Sequence, residues 1–239
     1  MKKLYPLFVV LFLISNGFGQ KIHEEIETYE SGNIESITYH KKIGNRLGIV
    51  KMEGYYENGQ KKFERTYNDD GNQDGLHTEW NENGQKSEEK TYKDGLYNGL
   101  HTRWYDNGQK YEERTYKDGF NYGLHTEWHQ NGQKSFQATF NDDREQDIIY
   151  KGLVTYWWDN GQKFRETNWK DGFGNGLVTE WYENGQKSFE GTFKDGEKDG
   201  TLTTWDYNGQ KQREENYKYG KKHGLHTVWH QNGQKYEAI

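Results

Sequence analysis

The chain has no cysteine and a single proline, Pro6. No disulfide framework and no thiolate metal site is possible, so whatever holds the fold must come from non-covalent packing. Long apolar runs are missing as well. The longest, Leu4 to Ile14, falls short of the roughly 17 to 25 residues that a spanning helix needs. There is no excess of basic residues: the net charge is −6. Lys and Glu alternate through the sequence, which argues against a duplex nucleic acid partner, whose binding requires a basic face that displaces counterions. Apolar residues make up only 30% of the chain and mean hydropathy is −1.33, values that by themselves suggest disorder. An aromatic content of 16% argues the other way.

Residues 1–19 read as a secretory signal peptide: Lys2-Lys3, the short apolar run, then small and polar residues ending Gly17-Phe18-Gly19. Cleavage after Gly19 removes two lysines and no acid, so −6 becomes −8. No cysteine follows to carry a lipid, and no stable membrane span is expected after cleavage. The expected location is outside the cytoplasm: periplasmic, cell-surface or secreted. The alternative for this stretch is an apolar first strand or an uncleaved anchor.

The rest of the chain is organised by Asn-Gly-Gln-Lys, which occurs eight times. Its turn pairs are Asn58-Gly59, Asn83-Gly84, Asn107-Gly108, Asn131-Gly132, Asn160-Gly161, Asn184-Gly185, Asn208-Gly209 and Asn232-Gly233. Successive intervals are 25, 24, 24, 29, 24, 24 and 24 residues, the fixed period of a repeat architecture. Each Asn-Gly lies between short runs rich in Thr and aromatics, a hairpin signal. A Lys-Asp-Gly return follows, as at Lys93-Asp94-Gly95. The prediction is all-β, an elongated single-layer antiparallel meander of stacked hairpins with about sixteen to eighteen strands. Residues 20–54 form an irregular capping hairpin, and 55–239 form the array.

A three-residue loop, Glu82-Asn83-Gly84 with Gly84 left-handed, predicts that Trp80 shares a face with Lys86, Glu88, Lys90 and Tyr92. The aromatic stripe expected from this register is Trp80, Trp104, Trp128, Trp157, Trp181, Trp205 and Trp229, with Tyr55 at its head. A 24-residue unit cannot stabilise itself, because backbone ordering costs about 1 to 2 kcal/mol per residue. Stability must be shared between neighbours.

The unit Trp-x-x-Asn-Gly-Gln-Lys followed by Tyr-Lys-Asp-Gly and a further Gly resembles the MORN repeat, in its bacterial variant. Tyr182-Glu183-Asn184-Gly185 and Phe193-Lys194-Asp195-Gly196 through Gly200 carry the likeness, which extends over roughly residues 50–239. Arrays like this resemble the YwqK-type antitoxin family. That resemblance implies an elongated sheet of hairpins that binds partners and has no enzyme centre; an exported start would suit a periplasmic immunity protein. Where the resemblance implies an aliphatic residue after the turn, this chain has Lys86, Lys110 and Lys134, so that face should be wetter.

No catalytic residue, cofactor site or metal site is assigned. A nucleophile, its base and an orienting group make one unequal constellation, whereas nearly every polar residue here has copies in other units. His77, His101, His125 and His226 are equivalent strand positions, and the first three step along the array at about 9.5 Å per unit, too far to share one zinc. The same position holds Val154, Val178 and Leu202. His223, His226 and His230 form the best residual cluster. The acidic loops read as turns rather than calcium sites.

A specific partner needs a feature that marks one place along a periodic surface. The 29-residue interval supplies one at 141–151, where Asp142, Asp143 and Glu145 stand beside Ile148, Ile149 and Tyr150, followed by the paired Trp157-Trp158. This loop and the hairpin from Lys151 to Trp169 are the expected binding surface for a protein partner. The long loop also divides the eight turns into two groups of four and is a candidate hinge. The competing expectation is a cell-surface glycan-binding module in which sugars stack on the tryptophan stripe.

Overall fold

The computed structural model describes residues 9–12, 21–140 and 150–238. Every regular element among them is a strand, and each chain-adjacent pair given below is antiparallel. Two compact units, Met1–Phe120 and Asn121–Ile239, divide the chain.

In the first unit the strands are β1 (Val9–Phe12), β2 (Ile22–Thr28), β3 (Ile34–Ile43), β4 (Arg46–Tyr55), β5 (Lys61–Thr66), β6 (Gly75–Trp80), β7 (Lys86–Lys93), β8 (Leu96–Trp104) and β9 (Lys110–Lys117). Each pairs with the next as a single-layer meander. The second unit repeats the plan with β10 (Phe120–Trp128), β11 (Lys134–Phe140), β12 (Gly152–Trp157), β13 (Lys163–Lys170), β14 (Phe173–Trp181), β15 (Lys187–Lys194), β16 (Glu197–Trp205), β17 (Lys211–Lys218), β18 (Lys221–Trp229) and β19 (Lys235–Ala238). The signal-peptide stretch lies outside the described residues except for Val9–Phe12, which pairs with Ile26 to His23.

The Asn-Gly turn has the three-residue form. Gly84 N–H donates to the Asn81 carbonyl at 2.9 Å and Asn81 N–H to the Gln85 carbonyl at 2.8 Å, with Gly84 at φ 80°. A type I turn closed by a left-handed glycine has this pattern. The return is tighter. Asp94 and Gly95 take φ 50° and 85°, and Lys93 pairs with Leu96, so this is a two-residue turn with both central residues left-handed, which Asp tolerates and Gly prefers. The 25-residue interval is explained by the same geometry: at Asn68–Asn72 one extra residue converts the return into the three-residue form, with Gly71 N–H donating to the Asn68 carbonyl. Tyr29 to Asn33 also forms a three-residue loop, in which Gly32 N–H donates to the Tyr29 carbonyl at 2.9 Å.

The predicted facing of the strands needs correction. Trp80 does pair with Lys86, but Glu79 pairs with Glu88, so the register slips by one residue between them. This second bulge, at Lys86-Ser87, reverses the far part of the strand. Leu76, Thr78 and Trp80 therefore share a face with Lys86, Glu89 and Thr91, while His77, Glu79, Glu88, Lys90 and Tyr92 occupy the other. The slip recurs in every Asn-Gly hairpin whose register is described. Phe63, Phe136 and Phe189 accordingly lie with the Tyr92 row and opposite the tryptophans.

On the tryptophan face the bulge brings Lys and the Glu three residues on to one side, as in Lys86 Nζ to Glu89 at 2.6 Å and Lys211 to Glu214 at 2.6 Å. The same ammonium sits over the tryptophan of the next hairpin: Lys61 is 5.7 Å from the Trp80 ring, Lys86 5.8 Å from Trp104 and Lys163 5.8 Å from Trp181. Such cation–π contacts are worth about 0.5 to 2 kcal/mol each. The central threonines, from Thr78 to Thr227, are buried between these rows, where a β-branched side chain suits the pleat.

The histidine face differs between the units. Among the described residues, all the buried apolar side chains, Phe136, Ala138, Phe140, Val154, Val178 and Leu202, belong to the second unit. In the first, the buried groups of this face are polar, His77 and Glu112, and aromatic rings such as Tyr92 and Tyr97 pack at 4.9 Å from each other beside them. The hinge expectation for the long loop also needs correction. The boundary between the units falls at Phe120, and the two sides of the loop share one core: Phe136, Ala138 and Phe140 precede it and Val154 follows it.

Candidate functional site

Within each unit, side chains of several Asn-Gly-Gln-Lys turns reach to the turn that follows. Asn Oδ1 accepts the N–H of the Gln two residues later, at 2.9 Å for Asn58 and Asn160. Its Nδ2 donates across to the next turn, from Asn58 to the Glu82 carbonyl at 2.9 Å and from Asn184 to the Tyr207 carbonyl at 2.8 Å. Asparagine is required because aspartate has no donor for the second bond. The Gln side chain then lies over the next glycine: a Cβ on Gly84 would stand 2.9 Å from Gln60 Oε1. Glycine thus serves a positive φ and a close approach at once. The residue before each loop adds a further bond, with Tyr56 and Tyr182 hydroxyls donating to the Trp80 and Trp205 carbonyls at 2.8 and 2.9 Å.

The binding surface expected from the sequence is only partly described. Asp142, Asp143, Glu145, Ile148 and Ile149 lie outside the described residues. Tyr150 is half-buried in the aromatic core, 5.1 Å from Phe140 and 5.5 Å from Trp169. Trp157 and Trp158 are adjacent in sequence but separate in role. Trp157 takes the ordinary stripe position, with Lys134 Nζ 5.7 Å from its ring. Trp158 takes the position of Tyr56 and Tyr182: its Nε1–H donates to the Trp181 carbonyl at 3.1 Å, and its ring packs on Phe164 at 4.5 Å.

The hairpin β12–β13 also carries residues that the sequence reading missed. Tyr156, Phe164, Arg165, Thr167 and Trp169 line a groove of about 150 Å³. Arg165 is within 3.5 Å of Glu180. The signal was available in the register. Phe164 stands where Ser87, Ser135 and Ser188 stand in other units, and Trp169 is the tryptophan in a row otherwise made of Tyr and Phe. A larger cavity, about 440 Å³, lies on the last hairpins, with Phe189, Leu202 and Val228 beside Lys198, Arg213 and Glu215.

Three carboxylates are held deep in charge networks. Glu53 accepts from Lys51, Lys61, Tyr39 and Tyr55 at 2.9 to 3.0 Å. Burial would raise its pKa, but these donors outweigh burial and hold it at about 2. Burial and the Glu53 hydrogen bond push Tyr55 up to about 12. Glu88 follows the same logic: burial opposes ionisation, yet His101 at 2.7 Å and Lys90 at 2.6 Å bring it to about 2. Glu215 is lowered against its burial by Lys222 and Tyr217. Each of these groups has a repeat-specific partner set that fixes the sheet.

His23 and His40 face each other across β2 and β3, while His77 and His101 each have their own partners. His77 packs on Tyr92 at 4.5 Å with Nε2 3.3 Å from the Thr66 carbonyl, and burial lowers its pKa. His101 faces Glu88. Of the C-terminal trio, His226 turns to Glu215 at 3.3 Å and His230 stacks on Tyr236 at 4.8 Å.

A chain of antiparallel hairpins, bulged at the same place and joined turn to turn by the same side chains, is a β-hairpin repeat protein. Residues 50–69, 73–94, 97–118, 175–195 and 198–219 match the family model described as the MORN repeat variant. Those five stretches of the array are thus similar to the MORN repeat in its variant form. No curated protein matches the chain.

Proposed function

We propose that the protein is an exported, non-enzymatic scaffold that binds a protein partner, and that the hairpin from Lys151 to Trp169 with its preceding loop is the principal contact. The observation that carries this reading is the groove of Tyr156, Phe164, Arg165, Thr167 and Trp169. Aromatic walls beside an arginine are the composition of interface hot spots. They fall at the hairpin where the sequence period breaks, so an otherwise periodic surface is marked at one place. The more specific version is an antitoxin-like or immunity-like protein that occupies its partner. The glycan reading loses support from the tryptophan face. Stacking a sugar needs an open ring, and a lysine of the preceding turn already lies over Trp80, Trp104, Trp157, Trp181, Trp205 and Trp229.

The test uses the chain as bait against an envelope extract. Phe164→Ser installs the residue found at Ser87, Ser135 and Ser188, and Arg165→Ala removes the cation. Loss of one captured protein with both variants, at unchanged stability, supports the assignment. Replacing 141–151 with a Lys-Asp-Gly type return separates the loop from the hairpin. Capture that survives all three changes refutes the proposed surface, and binding to glycans that is lost on Trp181→Ala would favour the other class.

A further inference from the structure

We propose that Asn208 is the labile Asn-Gly site of the array, a position where the folded protein deamidates spontaneously while its seven sister turns are protected. Asn-Gly is the dipeptide in which a backbone nitrogen most readily reaches the preceding side chain, because glycine places no Cβ in the way. In the reaction the Gly209 nitrogen forms a bond to Asn208 Cγ and loses its proton to solvent. The side-chain nitrogen leaves as ammonia, giving a succinimide. Water then opens the ring at either carbonyl, yielding aspartate or isoaspartate.

The attack requires the carboxamide to rotate freely, and seven turns prevent that. The Oδ1 atoms of Asn58, Asn83, Asn107, Asn131, Asn160, Asn184 and Asn232 all accept the N–H of the Gln two residues on, at 2.9 to 3.0 Å. Asn58, Asn131, Asn160 and Asn184 are pinned again through Nδ2 to the next turn. At the remaining turn another residue takes the cap. Asp206 Oδ1 accepts both the Gln210 N–H and the Asn208 N–H at 2.9 Å, which leaves the Asn208 carboxamide exposed with no hydrogen bond. The exchange has a local cause. Asp206 stands where other turns have Tyr56, Asn81, Tyr105, His129, Trp158, Tyr182 or His230; Asn81, the other short polar side chain, turns to Asp106 at 3.2 Å and leaves the cap to Asn83. Asn68 at the head of its loop shows the same preference for capping from the first position, accepting from Asn72 N–H at 3.0 Å.

Releasing the two anchoring hydrogen bonds that Asn160 and Asn184 each keep predicts that Asn208 reacts about thirty-fold faster than either in the folded protein. The product matters for the stack, since isoaspartate adds a backbone carbon to a turn whose partners are set by residue spacing, and either product places a new carboxylate beside Asp206.

The experiment incubates the full chain at mildly alkaline pH and follows each Asn-Gly peptide by mass and by isoaspartate-specific methyl transfer. Expected results are fastest conversion at Asn208 in buffer and similar rates at all eight sites in denaturant. Asp206→Tyr, the residue of the sister turns, returns the cap to Asn208 and slows it to the common rate. Asp206→Asn recreates the Asn81–Asn83 arrangement, in which the third-position Asn83 holds the cap, and slows Asn208 likewise. Equal folded-state rates overturn the proposal, as does an Asn208 that stays fast in Asp206→Tyr or that outpaces the others in denaturant.

Discussion

Replacing Glu53 with Gln asks whether the first unit is held by ion pairing where the second uses an apolar core. Glu53 is 7% exposed and sits in the row that is threonine in the later hairpins, Thr78 to Thr227. Its carboxyl titrates at about 2, against 4.5 for a free glutamate. That gap, at about 1.4 kcal/mol per unit, amounts to about 3 kcal/mol in favour of the folded state. Because the folded pKa is depressed, the contribution is complete above about pH 4.5 and is lost as the pH falls from there toward 2. Glutamine keeps the shape and can still accept from a tyrosine, but Lys51 and Lys61 lose one of their two carboxylates and must share Glu64, at 3.2 and 2.6 Å. The expected result is a loss of about 3 kcal/mol at neutral pH, narrowing as both proteins are acidified. Repeat arrays need not unfold in one step. The assay is therefore native-state hydrogen exchange on the amides of β3 to β5, in place of a single melting temperature. A gap between wild type and Glu53→Gln that is the same at about pH 5 and about pH 3 would refute the argument, as would a gap below about 1 kcal/mol at neutral pH.

Two further outcomes follow from the turns and the histidine row. Gly84→Ala should destabilise by about 1 to 2 kcal/mol for the left-handed backbone alone, with an added cost from Gln60. Gln60→Ala should therefore relieve part of the loss in the double variant, and strict additivity of the two changes in denaturation would reject the packing argument. His77 has its pKa lowered by burial from 6.5, so the unfolded chain binds the proton more readily. Stability of the first unit should be full above about pH 6.5 and fall as the pH drops below it. His77→Val, the residue at Val154 and Val178, should flatten that slope; an unchanged slope in exchange experiments would exclude His77 as its source.

What the sequence made legible was the turn chemistry. Asn-Gly flanked by short aromatic runs specified a three-residue hairpin loop, and Asp-Gly specified the tight return, because both need backbone angles that few residues accept. The facing of the strands was not legible. The bulge at Lys86-Ser87 uses ordinary residues, and its equivalents are Lys110-Tyr111, Lys163-Phe164 and Lys211-Gln212, so no glycine or proline marks it. Its trace is the recurring Lys-x-x-Glu, which alternation would place on opposite faces. The groove on β12–β13 was hidden for the same reason, since Phe164, Arg165 and Trp169 converge only once the register is known. The paired tryptophans were misleading as a pair, because adjacent residues near a strand end serve different neighbours.

The bonds along the turn column all point one way. Where one turn bonds the next, its Asn, Gln and Lys supply the side chains, and the following hairpin supplies carbonyls, a glycine and an indole to receive them. A hairpin leaving the ribosome therefore meets a finished template whose donors are already in place. It has nothing to wait for downstream. Growth by accretion from the N-terminal end keeps every folding step local, and it makes array length an adjustable quantity, since excising or adding 24 residues in register joins the same two surfaces again.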